Sequence, residues 1–128
     1  MKIAVIIVRV LMGLLFLFAS ITVLFKLIPQ PELAGNVKIF MDGISATGYL
    51  LPLIKITELL CGIAFVSGRF VPLATIVIAP INVNIFLFHA FVDTQGLPVA
   101  VFLVFANIFL AIANWDKFKP ILGAKQYA

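Results

Sequence analysis

Charge, cysteine and histidine are all scarce in this 128-residue chain. Charged residues make up only 11% of it, whereas a soluble domain carries about a quarter. Hydrophobic residues reach 64% and the mean hydropathy is +1.25, which excludes an ordinary soluble domain, a disordered chain and a coiled coil. The one cysteine, Cys61, excludes an internal disulfide and a Cys-x-x-Cys redox pair. The one histidine, His89, cannot supply both ligands of a bis-histidine haem or build a three-ligand zinc site alone. No metal site and no intrinsic cofactor are therefore expected. The net charge of +4 is not gathered into a basic patch, so no nucleic-acid partner is expected either.

What is present is apolar sequence in four long runs. A bilayer core of about 30 Å takes about 20 apolar residues per helix, so the chain has room for four spans and short loops. The runs place spans at about 3–28, 47–66, 71–92 and 98–115. Met1–Ser20 mimics a secretory signal, but the apolar run continues through Leu24 and Phe25, so cleavage is not expected. Pro29 and Pro31 are expected to end the first helix, and Pro80 to free the Ile76 carbonyl in the third and kink it. Residues 32–44 differ in kind. Leu33, Val37, Phe40, Met41 and Ile44 recur at helical spacing, with Lys38 and Asp42 on another face, which suits a short interfacial helix or a packed outer loop. Residues 116–128 form a polar, basic tail, and Tyr49 and Trp115 fit interfacial anchors.

Four spans put both termini and the Arg69 turn on one side. That side carries Lys2, Arg9, Arg69, Lys117, Lys119 and Lys125; the other carries Lys26 and Lys38. The imbalance predicts cytoplasmic termini.

The polar residues of the spans fall on seven-residue stripes mixed with small side chains. They are Arg9, Gly13, Phe16 and Ser20 in the first span, and Lys55, Glu58, Gly62 and Phe65 in the second. Thr75, Ile78, Asn82, Ile85 and His89 follow in the third, and Ala100, Leu103, Asn107, Leu110 and Asn114 in the fourth. Lipid offers no hydrogen bonds, so such stripes turn toward other helices. The expected fold is an all-α, antiparallel, four-helix membrane bundle with a short amphipathic outer segment between helices 1 and 2. Asn84, in the middle of a span, lies off its stripe.

Ionised groups near the bilayer centre each cost about 2.5–3.5 kcal/mol on insertion scales, so Arg9, Lys55 and Glu58 require partners. A Lys55–Glu58 contact at i, i+3, bridged by Arg9 and joined by Asn82, is the predicted polar cluster. Two readings compete for it. The first is an ion-paired brace that fixes helix register, since the charges can neutralise one another. The second is a protonatable site for a quinone headgroup. Cys61 reads as inert packing, and His89 as a hydrogen-bonded residue near the surface.

Arg9-x3-Gly13-x2-Phe16 ending in Lys26-Leu27, Glu58-Leu59-x2-Gly62, Gly68-Arg69-Phe70-x-Pro72-Leu73-Ala74 and Asn84-Ile85-x3-His89 occur in that order, from Arg9 to His89. Together they resemble the DoxX family of small four-span bacterial membrane proteins. Ala19-Ser20 stands where that family usually has a glycine. The resemblance implies a bacterial inner-membrane protein associated with quinone-linked redox or oxidative-stress complexes. It also marks Arg9, Glu58, Asn84 and His89 as positions to watch.

The function expected first is therefore an accessory membrane subunit of such a complex, with no catalytic residue assigned and no enzymatic activity of its own. Glu58, Lys55, Asn84 and His89 are its candidate ligand-binding residues, with quinone as the ligand and a redox protein as partner. The second is a scaffold whose outer segment, through Phe40 and Met41, contacts partners. A small-solute carrier comes last, for want of internal repeats and paired broken helices. Further copies of the same chain stay open as partners.

Overall fold

The computed structural model describes residues 2–29 and 32–123. Pro31, Lys125 and the end of the basic tail lie outside the described residues. Four helices are long and apolar enough to cross a membrane: α1 (Lys2–Leu24), α3 (Leu50–Ser67), α4 (Val71–Phe91) and the segment Thr94–Ala113. The last comprises a short 3-10 turn, Thr94–Gly96, and α5 (Leu97–Ala113). An amphipathic α2 (Gly35–Ala46) follows α1, and a single turn, α6 (Trp115–Phe118), follows α5. No strand occurs among the described residues.

Helix ends differ from the sequence expectation for identifiable reasons. α1 stops at Leu24, short of both prolines. Lys26 takes a left-handed conformation (φ 53°), and the Leu27 and Lys26 amides donate back to the Thr22 and Val23 carbonyls. That is a Schellman closure, usually built on glycine. α3 starts at Leu50 because Gly48 (φ 78°) turns the chain and the Thr47 hydroxyl accepts from the Leu50 amide at 2.9 Å. Gly68 (φ 77°) caps its other end. Pro72 opens α4, where its missing N–H is not needed, and α4 continues as a helix through Pro80 to Phe91.

The four spans form an antiparallel ring in which α1 packs on α3, α3 on α4, α4 on α5, and α5 on α1. The predicted stripes face inward. Phe16 and Ser20, Glu58 and Phe65, Thr75, Ile78 and Asn82, and Leu103, Asn107 and Leu110 are all buried. Met12, Phe65, Ile78 and Leu110 are fully enclosed, in the half of the bundle nearer the termini. The α1–α3 seam is the most extensive, because Gly13 and Gly62 let the two backbones meet there.

α2 lies across the other end. Leu33, Val37, Phe40, Met41 and Ile44 are half-buried and turn toward the bundle, while Lys38 and Asp42 pair outward at 2.6 Å. The Phe40 ring lies 4.7 Å from that of Phe88. The helix covers Gly35–Ala46, starting three residues after and ending two residues beyond the stretch read from periodicity. At the opposite end the tail is not wholly polar, since α6 folds back and buries Phe118.

Candidate functional site

The structure divides the expected four-residue cluster into three places. Lys55 Nζ and Glu58 Oε2 are 3.2 Å apart on the inner face of α3, and Glu58 is only 3% exposed. Because α3 starts at Leu50, Glu58 sits near the middle of the span rather than in its inner half.

Arg9 does not join them. Its guanidinium lies against Gly68, on the space a Cβ would fill, and its Nε is buried without a hydrogen-bond partner. No carboxylate among the described residues pairs with it. The long side chain runs toward the termini end of the membrane instead of the centre. There its charge meets the negative end of the α3 dipole, an alternative that desolvates less of it.

Asn82 is also separate. Its Nδ2 donates to Asn107 Oδ1 at 2.7 Å, and Asn107 Nδ2 donates to the Thr75 carbonyl at 3.3 Å. This amide pair ties α4 to α5, so the inter-helix polar brace lies here and not at Glu58. Asn82→Leu is expected to destabilise the bundle by about 1–2 kcal/mol, since it strands Asn107 Oδ1 in an apolar core. Unfolding in mixed detergent–SDS micelles measures this, and Asn82→Leu combined with Asn107→Leu should recover part of the loss.

His89, near the α2 end of α4, shares a cavity with the ion pair but has no hydrogen bond to it among the described residues. Lys55, Glu58 and His89 line one cavity of about 330 Å³. Phe16, Ile85 and Leu103 wall it, and Leu15, Phe18 and Val99, all exposed, stand at its mouth between α1 and α5. A small cavity with three convergent polar groups and apolar walls is the usual form of a ligand site. Its mouth opens where lipid chains lie. The His89 ring packs on Gly96, and its Nδ1 is 2.8 Å from the Asp93 carbonyl oxygen. A carbonyl only accepts, so Nδ1 carries hydrogen and, in the neutral ring, Nε2 is the acceptor.

A second cavity, of about 560 Å³, lies beneath α2 and is lined by Lys26, Met41, Asp42, Ser45 and, again, Lys55. Lys55 thus borders both an opening on the α2 side and the lipid-facing cavity. Asn84, the fourth candidate ligand residue, is absent from both and is exposed on the outer face of α4.

The DoxX family model matches residues 4–90. The chain belongs to the DoxX family. The match runs from α1 to the end of α4, so it holds Arg9, Lys55, Glu58, Asn84 and His89. It stops before α5, and every motif from Arg9 to His89 lies inside it. No curated protein and no solved structure matches it. In this DoxX protein the ring is nevertheless closed by α5, which lies outside the match and supplies Val99 and Leu103 to the cavity and Asn107 to the amide pair.

Sequence reasoning missed three partners. Asn107 could have been found, because it lies on its stripe at the height of Asn82 when residues are counted from the 3-10 turn at about 1.5 Å each. Gly68 as the seat of Arg9, and the Asp93 carbonyl as the partner of His89, depend on loop conformations that no periodicity reports.

Proposed function

We propose that this multi-pass membrane protein is a bacterial inner-membrane, non-catalytic subunit of a quinone-linked redox complex, with both termini cytoplasmic. In this reading the lipid-open cavity holds a quinone headgroup. The observation that carries the reading is the buried Glu58, paired with Lys55 and sharing with His89 a cavity whose exposed rim residues face the bilayer.

The donor set fits such a group. The Lys55 ammonium can donate to a carbonyl oxygen, and Glu58 and His89 Nε2 can accept from a hydroxyl. The volume of about 330 Å³ suits a single ring, with an isoprenoid tail leaving past Leu15, Phe18 and Val99. A quinone bound there would supply two-electron, two-proton chemistry, with electrons delivered by a partner protein. The chain itself would orient the ring and hold the exchanging proton at Glu58. Lys55 borders the opening beneath α2, while Met12, Phe65, Ile78 and Leu110 close the termini side, which favours proton exchange with the α2 side.

The competing brace is less well supported, because Lys55 and Glu58 belong to the same helix and tie no two helices together. The scaffold reading loses its intended contacts, since Phe40 and Met41 turn toward the bundle. The enclosed layer also argues against a solute path along the bundle axis.

The test is extraction of protein purified in mild detergent, followed by mass analysis of its lipids. Near-stoichiometric quinone is expected in the wild type and a loss of tenfold or more in Glu58→Gln. Equal quinone in a Glu58→Gln protein that is still folded, or none in either, would overturn the assignment.

A further inference from the structure

Asn84 is the one polar residue of the spans that neither the bundle nor the cavity uses. Most polar groups around it find at least one partner within the chain. Ser20, Thr22, Thr57 and Thr75 hydroxyls donate to carbonyls of their own helices, and Asn114 donates to the Leu110 carbonyl. Asn82 donates to Asn107, though its own Oδ1 is buried without a partner, and Lys55 pairs with Glu58. Asn84 makes no hydrogen bond among the described residues and faces outward. Counted along α4 from Phe91, it sits about 10 Å inside the span, at the depth of acyl chains. An amide there has neither water nor protein to bond, which hydrocarbon penalises strongly.

The same side of α4 carries a second unpaired group. Pro80 has no N–H to return to the Ile76 carbonyl, and Ile76, Pro80 and Asn84 follow one another at intervals of four on the exposed side of the helix. Leu73, Val77, Leu87 and Phe91 complete that side, and all four are exposed.

We propose that two copies of this chain associate through the outer side of α4, with the Asn84 amides hydrogen-bonded to each other. A primary amide offers both a donor and an acceptor, so it is complementary to its own copy across a two-fold axis. Two chains inserted in the same sense bring Asn84 to the same depth automatically. An interhelical amide pair is a recognised driver of association in lipid, where apolar side chains gain little by meeting. The inward cavity is untouched by this contact, so dimerisation and ligand binding are separable.

The test uses the full chain in phosphatidylethanolamine–phosphatidylglycerol vesicles. Energy transfer between donor- and acceptor-labelled chains, followed against protein-to-lipid ratio, should give a monomer–dimer equilibrium. Asn84→Leu should weaken it about five- to thirty-fold, and Asn84→Gln should retain most of it. Oxidative cross-linking then locates the face. Phe91→Cys, 81% exposed on α4, should form dimers, whereas Leu53→Cys, 55% exposed on α3 at the same end of the bundle, should not. Native Cys61 is buried and gives a silent background. A monomer at every ratio, a dimer unchanged by Asn84→Leu, cross-linking through Leu53→Cys instead, or a different protein trapped at Phe91→Cys would each overturn the proposal.

Discussion

Lys55→Met is expected to lower the stability of the bundle by about 3 kcal/mol, the low end for removing one member of a buried ion pair, because the Lys55 side chain is itself 18% exposed. Glu58 is 3% exposed, and its one ion-pair partner among the described residues is Lys55 Nζ at 3.2 Å. Arg9, the nearest alternative cation by sequence reasoning, is held at Gly68 and cannot substitute. The loss therefore reflects a carboxylate left alone in an apolar interior rather than the worth of the pair itself. The double variant Lys55→Met, Glu58→Gln should recover most of the stability, because no uncompensated charge remains. Unfolding titrations of the two variants in mixed micelles give both numbers. A Lys55→Met protein as stable as the wild type would mean that Glu58 does not depend on Lys55.

The second large effect belongs to Gly13. A Cβ placed there would lie 2.8 Å from Val66 Cγ2 and 3.0 Å from both the Gly62 carbonyl oxygen and Phe65 Cβ. Two of these atoms are backbone or fixed to it, and the third belongs to a stiff β-branched side chain. Gly13→Ala must separate α1 from α3, at an expected cost of about 1–3 kcal/mol. Gly62→Ala should cost less. Its added carbon first meets the Leu17 side chain at 3.0 Å, which can change rotamer, and only then the Gly13 carbonyl oxygen at 3.1 Å. Paired unfolding measurements test the order of the two effects, and an equal or reversed order would count against a backbone-to-backbone contact at this seam.

The quinone reading and the dimer reading draw on different residues and fail separately. Glu58→Gln acts inside the ring, at a cavity whose mouth is between α1 and α5. Asn84→Leu acts on the outer side of α4. A chain that binds quinone as a monomer, or one that dimerises with an empty cavity, would remove one proposal and leave the other standing.

The residues themselves determined the four spans, their antiparallel order and the inward face of each. A polar or small residue at every seventh position has one acceptable orientation in lipid, so Ser20, Glu58, Asn82 and Asn107 read as interior without coordinates. The Lys55–Glu58 contact was legible for a similar reason, because i, i+3 spacing on a helix places two side chains together whatever surrounds them. Tertiary structure decided the rest. A long Arg9 side chain can reach toward the membrane centre or its edge, and only the fold provided a bare Gly68 at a helix C-terminus to receive it. Where α1 ends was set by the Lys26 closure rather than by the prolines, since a helix can stop wherever its last carbonyls are satisfied. The joining of Lys55, Glu58 and His89 around one cavity depended on how far α3 and α4 are offset along their axes, a quantity fixed by turns and side-chain packing that no single helix encodes.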